Sequence, residues 1–189
     1  MALCAFLLVS LRGWTAPALE VFGKASYNRT NLGSDQYLQS LSGATGVAIV
    51  LIPQIRLEGR YTLQNQYQNI LSLSSTDVLT NIKVQTAVYS VGLDIALAGE
   101  RSTFIPFLYF GAGYAQTVRT WDYTDLNTSV TTPGEDQRIG LAGQMALGVR
   151  WRMAKSVAFE LEANAYSINF YKPGALVDVS GNAGLRFFL

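Results

Sequence analysis

The ten residues Ile55-Arg56-Leu57-Glu58-Gly59-Arg60-Tyr61-Thr62-Leu63-Gln64 alternate without a break. In an extended strand successive side chains point to opposite sides, so Ile55, Leu57, Gly59, Tyr61 and Leu63 share one face. Arg56, Glu58, Arg60, Thr62 and Gln64 share the other. A strand of a water-soluble sandwich can also have one apolar and one polar face, so a single segment does not decide the fold. The whole set of such segments does.

Leu141, Gly143, Met145, Leu147, Val149 and Trp151 oppose Ala142, Gln144, Ala146, Gly148, Arg150 and Arg152. Val157, Phe159, Leu161, Ala163 and Ala165 oppose Ala158, Glu160, Glu162, Asn164 and Tyr166. Toward the end of the chain, Val179, Gly181, Ala183, Leu185, Phe187 and Leu189 oppose Ser180, Asn182, Gly184, Arg186 and Phe188. Ala87, Tyr89, Val91, Leu93 and Ile95 repeat the division against Thr86, Val88, Ser90, Gly92 and Asp94. Weaker alternation near 21–27 and 44–51 supplies two more strands, and in the second of these both faces are small or apolar, which leaves its parity open. With 104–114, the number of strands is eight.

The connections alternate as well. Those at 52–54, 98–102 and 154–156 are short enough for tight turns, whereas those at 28–43, 65–82, 118–137 and 169–177 are longer and polar. Short turns on one rim and long loops on the other are the shape of an outer-membrane barrel, with the short side periplasmic. Hydrocarbon offers no partner to a free N–H or C=O, so a sheet that crosses a membrane must close on itself. The expected fold is all-β: an eight-stranded antiparallel up-and-down transmembrane β-barrel, apolar face outward and polar face inward.

Composition agrees with this reading and excludes several others. A chain of 189 residues holds one domain, and only 14% of it is charged, against about 25% in soluble proteins. Beyond the N-terminal stretch, polar residues interrupt every apolar run well short of the roughly 20 residues of a spanning helix. A net charge of +1, with Lys and Arg scattered, provides no field for nucleic acid. The sequence has no histidine, which removes the usual general base of serine and cysteine hydrolases and the commonest zinc ligand.

Ala2, Leu3 and the apolar residues up to Leu11 have the length of a signal-peptide core, and Ala16-Pro17-Ala18 supplies the small residues of a cleavage site. Residues 1–18 are therefore expected to be a signal peptide and 19–189 the outer-membrane barrel domain, although no Lys or Arg precedes the apolar core. Cys4, the only cysteine, falls in the expected leader, before the apolar run rather than after it as lipidation would require.

Phe104-Ile105-Pro106-Phe107-Leu108-Tyr109-Phe110-Gly111-Ala112-Gly113-Tyr114 resembles the Pro-aromatic-x-x-x-Gly-x-Gly strand of the small opacity-type and OmpA-like outer-membrane β-barrel proteins. The strands around Arg56, Glu160 and Arg186 look like that family too. Alternate apolar residues back from the end (Leu189, Phe187, Leu185, Ala183) are similar to the family's assembly signal, with Leu in place of its usual final Phe. The resemblance implies an eight-stranded barrel inserted by the outer-membrane assembly machinery, without the peptidoglycan-binding domain of the larger members, and implies no reaction.

The inward face carries Lys24, Arg56, Arg60, Arg150, Arg152 and Arg186 against Glu58, Asp94, Glu160 and Glu162. Charges taken out of water must pair, so a polar plug is expected, with a gate or ion path as the alternative. Glu160 and Glu162, at i and i+2 on one face, have a spacing that could serve acid/base work; with arginines on neighbouring strands they read as structural partners. Trp121, Tyr123, Phe170 and Tyr171 lie in or beside the long loops, as a girdle at the lipid headgroups or as a partner surface. The expected function is non-enzymatic: an envelope structural or interaction protein without metal or cofactor. It would be surrounded by outer-membrane lipid and would meet an envelope protein or an extracellular partner through its four loops. A narrow ion or small-solute channel is the alternative, and a lipid-modifying enzyme ranks third.

Overall fold

The computed structural model describes residues 19–31, 37–72, 77–99, 102–169 and 177–189. The expected signal peptide lies outside the described residues, as do Phe170 and Tyr171. Eight strands follow one another: β1 (Leu19–Asn31), β2 (Tyr37–Ile52), β3 (Ile55–Ser72), β4 (Asp77–Ala96), β5 (Phe104–Asp125), β6 (Val130–Arg152), β7 (Val157–Ile168) and β8 (Val177–Phe188). Each pairs antiparallel with its sequence neighbours, and β1 closes on β8 from Glu20↔Phe188 to Ala25↔Ala183. Closure leaves no strand edge in the ring, as a sheet in hydrocarbon requires.

The side-chain division matches the alternation. Leu147, Val149 and Trp151 are 62%, 42% and 47% exposed, and Leu57, Val91, Phe110, Leu161 and Leu185 also look outward. The parity left open in β2 is settled: Ser42, Ala44 and Ala48 are buried inside, while Val47, Ile49 and Leu51 face out. Tyr27, Tyr89 and Tyr114 on the long-hairpin side, and Phe104 and Trp151 on the other, border this apolar belt. The Phe104 and Trp151 rings stack with centroids 6.0 Å apart, and Tyr61 and Tyr89 meet at 4.9 Å.

The long connections are not loops throughout. Strands β5 and β6 run 22 and 23 residues, against 12 each for β7 and β8, and a membrane strand needs only about 9–11. Most of 65–82 and 118–137 is paired strand, with residues 126–129 left between β5 and β6. Trp121 and Tyr123, expected in or beside a loop, are strand residues of β5. The physical reason is that pairing persists where Thr, Tyr and Val keep the backbone extended. Above the apolar belt, residues 116–125 of β5 are partly exposed on both faces, so period-2 hydropathy disappears while the hydrogen-bond ladder continues.

Large luminal side chains lie flat against the wall because glycine stands beneath them. A Cβ on Gly46 would stand 2.7 Å from the Phe22 ring, and one on Gly148 would stand 2.8 Å from the Phe107 ring. Gly148→Leu is expected to lower the unfolding free energy by about 1–3 kcal/mol, the usual cost of overpacking. Gly181→Leu, where a Cβ meets nothing within 4 Å, should leave the urea midpoint of the vesicle-inserted barrel unchanged.

Candidate functional site

Strands β1, β3, β4, β6, β7 and β8 each deliver charged side chains to the lumen at even-numbered positions, in the half of the barrel nearer the short turns. Lys24, Arg56, Arg60, Arg150 and Arg186 are all buried there, against Glu20, Glu58, Asp94, Glu160 and Glu162. Five cations and five carboxylates give a core of zero formal charge.

Arg186 is the hub. It lies 3.0 Å from Glu20, 2.7 Å from Glu58, 3.8 Å from Asp94 and 2.5 Å from Glu160. Arg150 bridges Asp94 and Glu160 through Nη2 and Nε. Lys24 spans the two carboxylates of β7, 2.7 Å from Glu160 and 2.6 Å from Glu162. Arg60 pairs with Glu58 at 2.7 Å and with Glu162 at 3.0 Å. Arg56 donates to Glu20 at 2.7 Å, and its Nη1 approaches Asp94 at 3.7 Å without a hydrogen bond. Arg152, the last residue of β6, is half-buried at the rim with its guanidinium 5.0 Å from the Phe188 ring.

Aromatic faces complete the solvation of these charges. Arg60 lies 4.1 Å from the Tyr109 ring centroid, Arg150 4.2 Å from Phe107, and Arg186 and Lys24 each 4.7 Å from Phe22. In a desolvated site such contacts contribute up to about 2 kcal/mol each. They also fill the lumen cross-section. Toward the long hairpins the charges give way to neutral groups: Ser90 donates to Gln144 at 2.6 Å, and Gln144 donates to Thr62 at 3.1 Å and Asn164 at 3.0 Å. Beyond them Val88, Ala115, Ala142 and Tyr166 form an apolar cluster across the interior, and the Tyr166 hydroxyl donates to Gln64 at 2.6 Å.

Glu160 and Glu162, candidates for acid/base work by spacing, are thus each engaged by at least two cations. A carboxylate held in this way is poorly placed to exchange a proton with a substrate. Sequence reasoning missed Glu20, although it lies on the same face of β1 as Lys24, four residues earlier. It also missed Phe22, Phe107 and Tyr109 as luminal partners, since an aromatic residue at an inward position gives no charge signal.

At the other rim, Trp121 lies against the wall. A Cβ on Gly134 of β6 would stand 2.4 Å from its indole, and the Arg119 guanidinium lies 5.3 Å from the ring. Tyr123 is half-buried, paired in register with Leu79 on β4. A polar chain unnoticed in the sequence runs across three strands: the Tyr67 hydroxyl donates to Asn81 Oδ1 at 2.9 Å, and Asn81 Nδ2 donates to Asp122 at 2.9 Å. Asn81 has a φ of 51° beside a register shift between Thr80 and Lys83. At the β5–β6 turn, the Asn127 N–H and the Thr128 hydroxyl hold the Asp125 carboxyl below its usual range.

These features define a class: closed eight-stranded barrels with an apolar exterior and a filled polar interior. No family model and no curated protein matches the chain. Solved structures do. Neisserial surface protein A is similar with a TM-score of 0.52 and 15% identity, covering 93% of this chain and 100% of that one. The N-terminal β-barrel domain of Pseudomonas aeruginosa OprF matches with a TM-score of 0.51 and 9% identity, covering 92% and 98%. Ail, the attachment invasion locus protein of Yersinia pestis, solved in complex with the heparin analogue sucrose octasulfate, gives 0.51 and 10%, covering 92% and 99%. At these identities the likeness shows the fold alone: an all-β, up-and-down ring of eight antiparallel strands, shared with outer-membrane barrels.

Proposed function

We propose that the chain is a non-enzymatic, non-conducting barrel of the outer membrane of a Gram-negative bacterium, which strengthens the envelope and presents its long hairpins outside the cell. The observation that carries this reading is the five-against-five ion network buried in the lumen, with Tyr166 and its apolar neighbours packed across the interior as well. An ion crossing the barrel would have to break several buried pairs at once, each held in a low-dielectric interior. The short turns then face the periplasm, and β3–β4 and β5–β6 rise above the outer leaflet.

The hairpins, rather than the lumen, offer a surface to a partner. Among their described residues Lys83, Arg119 and Arg138 stand beside Asp122, Asp125, Glu135 and Asp136, so the crown has no excess of positive charge. It does not suit a sulfated polysaccharide of the kind captured on Ail. A partner bound through Tyr, Asn, Thr and mixed charges, such as another envelope protein, fits better.

Planar-bilayer recording of the purified protein tests the lumen. No steady conductance is expected. A steady conductance that disappears on Arg56→Gln or Glu160→Gln would replace this reading with that of a narrow channel. Crosslinking from the hairpins in intact cells, followed by identification of the captured molecule, tests the second half.

A further inference from the structure

Around the outside of the barrel, from Val21 on β1 to Leu141 on β6, runs a shallow apolar groove, with polar clefts close above its β3 to β5 part. The groove, of about 1010 Å³, has a floor of short residues, Thr45, Gly59 and Ala112, beside the rings of Tyr61, Tyr89 and Tyr114. A Cβ on Gly59 meets only a carbonyl oxygen at 4.0 Å, so the floor is open to the outside. On the same strands, toward the long hairpins, lie two clefts of about 430 and 640 Å³ that share Tyr67, Lys83 and Thr120. The register sets Tyr67, Lys83 and Thr120 side by side, with only the row Leu63, Ala87 and Gln116 between the clefts and the groove. At roughly 3.4 Å per residue, Tyr67 stands about 20 Å along the strand from Tyr61.

The geometry points to a glycolipid of the outer leaflet as the occupant, with an acyl chain in the groove and its sugar headgroup in the clefts. This rests on the outer-membrane reading above and names the lipid that it leaves open. A phospholipid would satisfy the groove, but its small headgroup leaves the clefts unused. The clefts have saccharide chemistry: the Tyr67 face, packed 5.8 Å from Tyr37, the Asn81, Asp122 and Glu135 side chains for hydroxyl groups, and the Lys83 ammonium, set between those two carboxylates, for a single acidic substituent rather than a densely charged chain. The groups are also held in place. A bulge re-aims a side chain, and here a left-handed Asn81 ties Tyr67 to Asp122. Pockets that join an apolar floor to a few fixed polar groups are the usual form of small-molecule sites.

The test is native mass spectrometry of the detergent-folded barrel after incubation with equal amounts of rough-type lipopolysaccharide and phosphatidylglycerol. The folded barrel is expected to retain the glycolipid about tenfold over the phospholipid, and to lose that preference in Gly59→Phe, which fills the groove, and in Lys83→Gln, which removes the cleft's ammonium. Gly181→Phe, an equally open outward site on β8, should keep it. Equal retention of both lipids by a barrel that folds normally overturns the inference and leaves the outer-membrane reading standing. Binding of the delipidated core oligosaccharide as strong as that of the intact lipid also overturns it, since the groove would then contribute nothing. A chain that fails to insert into any bilayer overturns both.

Discussion

Arg186→Met is expected to lower the unfolding free energy of the vesicle-inserted barrel by about 3–5 kcal/mol, the cost of leaving buried charge without its partner. Arg186 lies within 3.0 Å of Glu20, Glu58 and Glu160, and all four side chains are at most 1% exposed. Removing the guanidinium leaves four cations against five carboxylates in a closed interior. The charge excess can relax only by protonation or by opening the wall to water. Arg186→Met combined with Glu160→Gln restores neutrality and should recover part of the loss, with a coupling energy well above the error of a double-mutant cycle. Arg138→Gln, which breaks the exposed pair with Asp136, is the comparison and should leave the urea midpoint unchanged. If Arg186→Met proves no more harmful than Arg138→Gln, the network does not hold the barrel together.

Met145→Arg is expected to cost about 2–4 kcal/mol and to reduce the inserted fraction, seen as loss of heat-modifiable migration on a gel. Met145 lies midway along the outward row of β6 from Ile139 to Trp151 and is 55% exposed. In a water-soluble barrel an exposed methionine accepts arginine with little change. In hydrocarbon the same guanidinium has to be desolvated or pull water into the bilayer, so the sign of the result separates the two environments. A neutral Met145→Arg in a protein that stays dispersed without detergent would remove the basis for a membrane location.

Much of this was legible because a strand's side-chain period is two. Arg56, Glu58 and Arg60 had to share a face with one another and not with Leu57, and a ring of eight such strands has only one inside. The hairpin extensions were not legible in the same way. Asn65 to Asn69 and Gln116 to Asp125 carry polar residues on both faces, and hydropathy has no period where both faces meet the same solvent. Trp121 illustrates the limit: its indole seat is Gly134, thirteen residues away across the hairpin, and nothing local announces that contact.

By itself the sequence determined the strand count, which face of each clear strand is apolar, and nine of the ten charges that share the interior, because alternation depends on neighbours in the chain. Only the tertiary structure decided which charges meet: Arg186 as the hub, Lys24 between Glu160 and Glu162, and Glu20 as the fifth carboxylate. It alone placed Phe22, Phe107 and Tyr109 under the cations and stacked the groove below the clefts. Those outcomes depend on ring closure and strand register, which bring together residues as far apart as Glu20 and Arg186.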